Sequence, residues 1–123
     1  MDFFSSLLGG YMAEGKYIVV LMTAPNEDDG AAIGRKVVEE GLAACCNIVP
    51  KIRSIYMWNG KTCDEPEALC IMKTRAVLFE RLKARIRELH GYEVPEIIAV
   101  NIEAGLKEYL DWIDSVTVGI EAH

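Results

Sequence analysis

Thiols, imidazoles and carboxylates are where this chain could do chemistry, and it holds four cysteines and two histidines. Cys45, Cys46, Cys63 and Cys70 include no C-x-x-C pair and none of the spacings of zinc ribbons or fingers, which argues against a closed structural zinc site. Cys45 and Cys46 are adjacent in an extended stretch, and side chains alternate along a strand, so these two sulfurs face opposite ways and cannot readily chelate one ion. Each reads first as a small buried hydrophobe and second as a thiolate donor to soft Cu(I) across a subunit interface. Cys63, near a turn, is the expected exposed thiol, and Cys70, inside an apolar strand, the expected buried one.

His90 is the first metal candidate. A neutral imidazole binds copper or zinc, and the residue stands at the expected exposed end of a helix, before Gly91-Tyr92. The competing reading is a cap that stabilises the helix C-terminus. Together with Glu93, the expected metal ligands are His90, Cys45 and Glu93, for a divalent ion such as Cu or Zn that folding itself does not require.

A second constellation gathers Tyr56, Trp58, Glu67, Lys73, Glu96, Tyr109 and Trp112 at strand ends and on the terminal helix. Lys73 ends an apolar strand, and a buried ammonium needs a carboxylate or an anionic ligand. Two readings follow: an intersubunit salt bridge from Lys73 to Glu96 or Glu67 ringed by aromatic packing, or an intersubunit cleft for a small anion or metabolite. Catalysis has weaker support. Glu96 or His90 could act as a base and Lys73 as an electrostatic stabiliser, yet there is no Ser-His-Asp order, nucleophile elbow, phosphate-cradling glycine loop or H-E-x-x-H. The expectation is a protein that is not an enzyme.

The elements that must position these residues can be read from period and punctuation. A β-branched run over Tyr17–Ala24 is closed by Pro25-Asn26, where Asn26 can cap a helix whose first turn holds Glu27, Asp28 and Asp29. That helix buries Ile33, Val37 and Val38, lets Gly34 approach the sheet and stops near Glu40 before Gly41. A long strand over 44–58 meets the turn Asn59-Gly60 and returns as a strand over 67–73. Leu78, Leu82, Ile86 and Leu89 set a second helix over 77–90 with Gly91 as its stop, followed by a strand over 94–102 and a helix over 106–116.

The resulting fold class is α+β: a ferredoxin-like βαββαβ sandwich with an extended hairpin between its second and third strands and a C-terminal helix. Residues 1–15 are expected to form a flexible arm, 16–117 the domain and 118–123 a tail. The length of the second strand is informative. From Cys45 to Trp58 it would span about 43 Å at roughly 3.3 Å per residue, against a diameter near 35 Å for a compact domain of this size. The runs Ile18-Val-Val-Leu-Met22, Ala68-Leu-Cys-Ile-Met72 and Ile97-Ile-Ala-Val100 are moreover apolar throughout, where a one-sided sheet would alternate. A homo-oligomer packed sheet to sheet covers the second face and gives the overhang a place to lie.

Composition narrows the partners. A net charge of -6 opposes binding to phosphate backbones, so no nucleic acid is expected. The basic residues Arg75, Arg81, Lys83, Arg85 and Arg87 are interrupted by Glu80 and Glu88 and read as a solvated helix face. No run reaches membrane-spanning length and no secretory signal is evident, so the expectation is a cytoplasmic protein with free thiols and no membrane partner.

The pieces Leu42-Ala-Ala-Cys45, Asn47-Ile-Val-Pro50, Ser54-Ile-Tyr56, Trp58-Asn-Gly-Lys61, Lys73-Thr74, Pro95-Glu-Ile97 and Tyr109-Leu-Asp-Trp-Ile113 resemble the CutA divalent-cation tolerance proteins. The match runs over roughly residues 17–115 in one unbroken register. The resemblance implies a homotrimer of ferredoxin-like subunits whose extended hairpins wrap neighbouring protomers, and a non-catalytic role in response to and tolerance of metal ions such as copper. The family commonly has His-Pro-Tyr where this chain has His90-Gly91-Tyr92. The fold also looks like that of PII signal proteins, which keeps a small-molecule or anion sensor with intersubunit clefts as the alternative.

Overall fold

The computed structural model describes residues 11–12 and 15–119. Of the expected arm, residues 1–10 and 13–14 lie outside the described residues, while Tyr11–Met12 forms a short strand, β1. The remaining elements are β2 (Tyr17–Ala24), α1 (Glu27–Glu39), β3 (Cys45–Trp58), β4 (Lys61–Arg75), α2 (Phe79–Leu89), β5 (Ile97–Asn101), β6 (Ala104–Gly105) and α3 (Lys107–Val116). A 3-10 turn over Ala76–Leu78 leads into α2. The main sheet has the order β3-β4-β2-β5 with every neighbour antiparallel, which is the ferredoxin-like arrangement expected of two βα units joined by a hairpin.

Local chemistry accounts for the boundaries. Asn26 takes an extended conformation and its side-chain oxygen accepts the Asp29 amide at 2.8 Å, with Glu27, Asp28 and Asp29 in the first turn of α1. Gly41 then supplies the left-handed residue after the helix, at φ 72°. At the hairpin tip Asn59 and Gly60 are both left-handed, at φ 50° and 75°, as a two-residue I′ turn requires.

α1 and α2 cover one face of the sheet. Ile33 and Val37 of α1 and Leu82 and Ile86 of α2 bury Val20, Met22, Cys70 and Met72 beneath them. Among the described residues the opposite face is covered at one end, where Leu110 and Ile113 of α3 pack on Tyr17 and Ala44, and the Tyr17 hydroxyl donates to Asp114 at 2.7 Å. Elsewhere on that face Ile98 and Val100 are 50% and 54% exposed, which explains why β5 reads as apolar on both sides although one protomer fills only one of them.

Several boundaries differ from the sequence reading. β4 begins at Lys61 rather than 67, because pairing with β3 continues through Asp64, Glu65 and Pro66, residues of poor strand propensity. Arg53 closes that stretch, donating to both carboxylate oxygens of Asp64 at 2.9 and 2.7 Å. β5 begins at Ile97 rather than 94, and the register of β3 against β4 shifts between Val49 and Ile52, where Pro50 cannot donate to a ladder. The expected tail also starts tied down: the Val118 amide donates to Gly41 O at 2.9 Å and Arg75 donates to the Val118 carbonyl.

Candidate functional site

His90 occupies a different environment from the exposed helix end that its position suggests. The residue is 8% exposed, and both of its ring nitrogens are engaged. Nε2 lies 2.7 Å from the Thr23 carbonyl, and Nδ1 accepts the Tyr92 amide at 3.0 Å. A carbonyl only accepts and an amide only donates, so the ring is the tautomer with its proton on Nε2 and its Nδ1 lone pair already used. No lone pair remains for a metal. The ring also ends the helix: His90 itself is extended, at φ -81° and ψ 141°, and Gly91 is not left-handed, which corrects its assignment as the stop residue.

The three expected metal ligands do not meet within one protomer. Cys45 pairs in register with Lys73, whereas Thr23, which holds His90, pairs with Leu69. Four residues of β4 separate the two levels, about 13 Å at 3.3 Å per residue. Cys45 also emerges on the α3 side, with its sulfur 3.9 Å from the Tyr109 hydroxyl, while Glu93 is exposed. Among the described residues no group of three or more His, Cys, Asp and Glu side chains is placed to hold a metal ion.

The aromatic and charged set is likewise distributed along the hairpin. Trp58 stands opposite Lys61 at its tip and Lys73 opposite Cys45 at its root, twelve residues apart along β4, or about 40 Å at 3.3 Å per residue. Near the tip, Tyr56 donates to Glu65. Midway, Glu67 accepts from the Tyr92 hydroxyl at 2.8 Å, and the Tyr92 ring lies against His90 with centroids 4.7 Å apart. At the root, Tyr109 packs on Trp112 at 5.4 Å, close to Cys45. Glu96 is exposed. Within the protomer, Lys73 turns to the side-chain oxygen of Asn47. Asn47 was legible in principle: two residues after Cys45, it shares the face on which Lys73 lies.

Hydrogen bonding and burial keep two phenols neutral, Tyr56 on the hairpin and Tyr92 beside it. The bond to Glu65, with some burial, pushes Tyr56 up to about 12, and burial followed by the bond to Glu67 raises Tyr92 further. A phenol whose folded value exceeds its free value near 10 favours folding while neutral, and that contribution is lost as pH rises from about 10 upward. In an alkaline spectrophotometric titration, Tyr56, Tyr92 and also Tyr109, whose phenol burial raises, should therefore ionise after the free-phenol range, and in guanidinium-unfolded chain all five tyrosines should ionise together. Coincident titration of folded and unfolded protein would show that neither hydrogen bond exists in solution.

A family model described as CutA1 divalent ion tolerance protein matches residues 18–116. The chain is 48% identical over 95 residues to the divalent-cation tolerance protein CutA of Thermus thermophilus, covering 77% of this chain and 92% of that one. It is 45% identical over 100 residues to the chloroplastic protein CutA of Arabidopsis thaliana and 41% identical over 111 residues to human protein CutA, but spans only 55% and 62% of their lengths. The solved structure of the Thermus thermophilus protein superposes with a TM-score of 0.81 at 46% identity, covering 83% of this chain and 99% of that one. That of CutA1 from Oryza sativa gives 0.82 at 42%, covering 84% and 94%. With the match running from β2 to the end of α3 and relatives well above 40% identity, the chain belongs to the CutA1 divalent ion tolerance family.

Proposed function

We propose that the chain is a non-catalytic, homotrimeric protein of the cytoplasm that binds divalent or soft metal ions such as copper and takes part in tolerance of them. The observation that supports the assembly most strongly is the β3–β4 hairpin, whose outer half leaves Ile55 63%, Met57 65% and Trp58 59% exposed. Apolar side chains in a row on a strand with no second neighbour among the described residues invite another copy of the chain. The metal role is supported by family membership and by the name of the Thermus thermophilus relative. His90 is not part of it, since its nitrogens serve the backbone. Cys45 and Glu93 keep donor atoms on the surface and, lying at different levels of the sheet, can share an ion only between copies.

Light scattering on the size-exclusion peak should give three chains per particle, and a variant with Met57→Lys and Trp58→Lys should fall to smaller species at the same concentration. Titration calorimetry with Cu(II) and Zn(II) should show binding that Cys45→Ala weakens. A monomeric wild-type peak, or no heat with either ion, would overturn the corresponding half of the proposal. A sensor of small anions in an intersubunit cleft would instead show ligand density bridging Lys73 and Asn47, residues that already bond each other within a protomer.

A further inference from the structure

Sulfur is concentrated at one place in the layer between α1 and the sheet. Cys46 of β3 stands opposite Met72 of β4, and Cys70 of β4 stands opposite Met22 of β2. All four occupy the helix-facing register: Cys70, Met72 and Met22 are 0% exposed, and Cys46 packs against their cluster from the edge strand, still partly exposed. Two glycines of α1, one turn apart on the same helix face, lie directly over the thiols. A Cβ at Gly34 would come within 2.7 Å of Cys46 Sγ, and one at Gly30 within 2.8 Å of Cys70 Sγ. The two thiols therefore lie on neighbouring strands beneath bare helix backbone.

We propose that Cys46 and Cys70, with the thioethers of Met72 and Met22 beside them, form a buried site for a soft monovalent metal ion, Cu(I) being the ion whose chemistry fits. This rests on the metal-tolerance reading and names the oxidation state and donors at a place distinct from Cys45. Thiolate and thioether sulfur select Cu(I) over harder ions. No carboxylate or imidazole joins the two cysteines among the described residues, which leaves Zn(II) short of its usual four ligands. A disulfide is the competing use of two thiols, but the geometry opposes it. Cys46 and Cys70 are diagonal rather than facing partners, and diagonal residues stand about 7–8 Å apart, beyond the range of about 4.4–6.8 Å that a disulfide spans.

Binding is a substitution of protons by metal: two S–H bonds give their protons to solvent, two S–Cu bonds form, and copper stays Cu(I). Affinity should accordingly rise with pH. Cys46, on the edge strand, is the way in.

The test is a titration of the reduced full-length chain with Cu(I), without oxygen, against a chromophoric Cu(I) chelator. One Cu(I) per chain is expected, with only sulfur in its X-ray absorption shell. Cys46→Val, which keeps an apolar side chain at a partly exposed position, and Cys70→Ala should each weaken binding by about a hundredfold or more, and Cys63→Ala on the hairpin should leave it unchanged. Thermal unfolding of Cys46→Val checks that its fold is retained should Cys70→Ala fail to fold. Equal Cu(I) affinity in wild type and Cys46→Val, or nitrogen or oxygen in the shell, overturns the site. The separate effect of Cys45→Ala on Cu(II) and Zn(II) would be untouched by that result, so the two proposals fail independently.

Discussion

Replacing Gly30 with alanine is expected to destabilise the chain, and removing the Cys70 sulfur in the same molecule is expected to reverse the loss. In the middle of a helix alanine is worth about 1 kcal/mol more than glycine, so α1 alone predicts a gain. The packing predicts otherwise. The new Cβ would stand 2.8 Å from Cys70 Sγ, and Cys70 is fully buried with no open side to turn to. Overpacking of this kind costs about 1–3 kcal/mol, which leaves Gly30→Ala less stable than wild type by about 1 kcal/mol. The other neighbours, Ala24 Cβ at 3.6 Å and Ala68 Cβ at 3.9 Å, are ordinary contacts, so only the sulfur stands in the way.

Guanidinium unfolding of wild type, both single variants and the Gly30→Ala/Cys70→Ala double variant closes a cycle whose coupling should be about 1–3 kcal/mol in favour of the double variant. Gly34 provides the contrasting case. A Cβ there meets Cys46 Sγ at 2.7 Å and also Cys46 Cβ at 3.0 Å, and Cys46→Ala removes only the first. Its rescue of Gly34→Ala should therefore be the weaker of the two. Additive effects at Gly30 would mean that α1 stands off the sheet and that the sulfurs are not held beneath it.

How much of this was legible in the sequence follows from the range of the interactions. Asn26 before three acids, Asn59-Gly60 between two apolar strands and Gly41 after a helix are decided by neighbouring residues, and the structure uses each as read. The strand over Asp64-Glu65-Pro66 was not legible from its own residues, because it is set by ladder pairing with Arg53, Ser54 and Ile55 on the partner strand. Gly34 was legible as a point of close approach, but its contact with Cys46 was not. The register that sets Cys46 beside Met72 depends on where β3 bulges, and sequence period alone does not locate a bulge. Lys73 shows the same limit: an ammonium ending an apolar strand calls for a partner, and the partner within its own protomer is an amide, Asn47, which the register of β3 against β4 brings to it.

His90 offers the sharpest separation between a structural and a metal-binding role. Its ring donates to the Thr23 carbonyl and accepts from the Tyr92 amide, and in His90→Ala both backbone groups lose that partner, the first in a buried and the second in a half-buried setting. A buried polar group left unmatched costs about 1–3 kcal/mol, so the substitution should lower stability by about 2–4 kcal/mol once both groups and the lost packing are included. The path from α2 to β5 should loosen with it, since the ring ends the helix and orients Tyr92, which in turn reaches Glu67 on β4. Amide hydrogen exchange at Tyr92 should rise well above that of its neighbours. Affinity for Cu(II), Zn(II) and Cu(I), measured below the unfolding transition of the variant, should stay at the wild-type value, because neither imidazole nitrogen has a lone pair to offer. The opposite pattern, unchanged stability with metal binding abolished, would place His90 back among the ligands and require that its contacts with Thr23 and Tyr92 open when the ion binds.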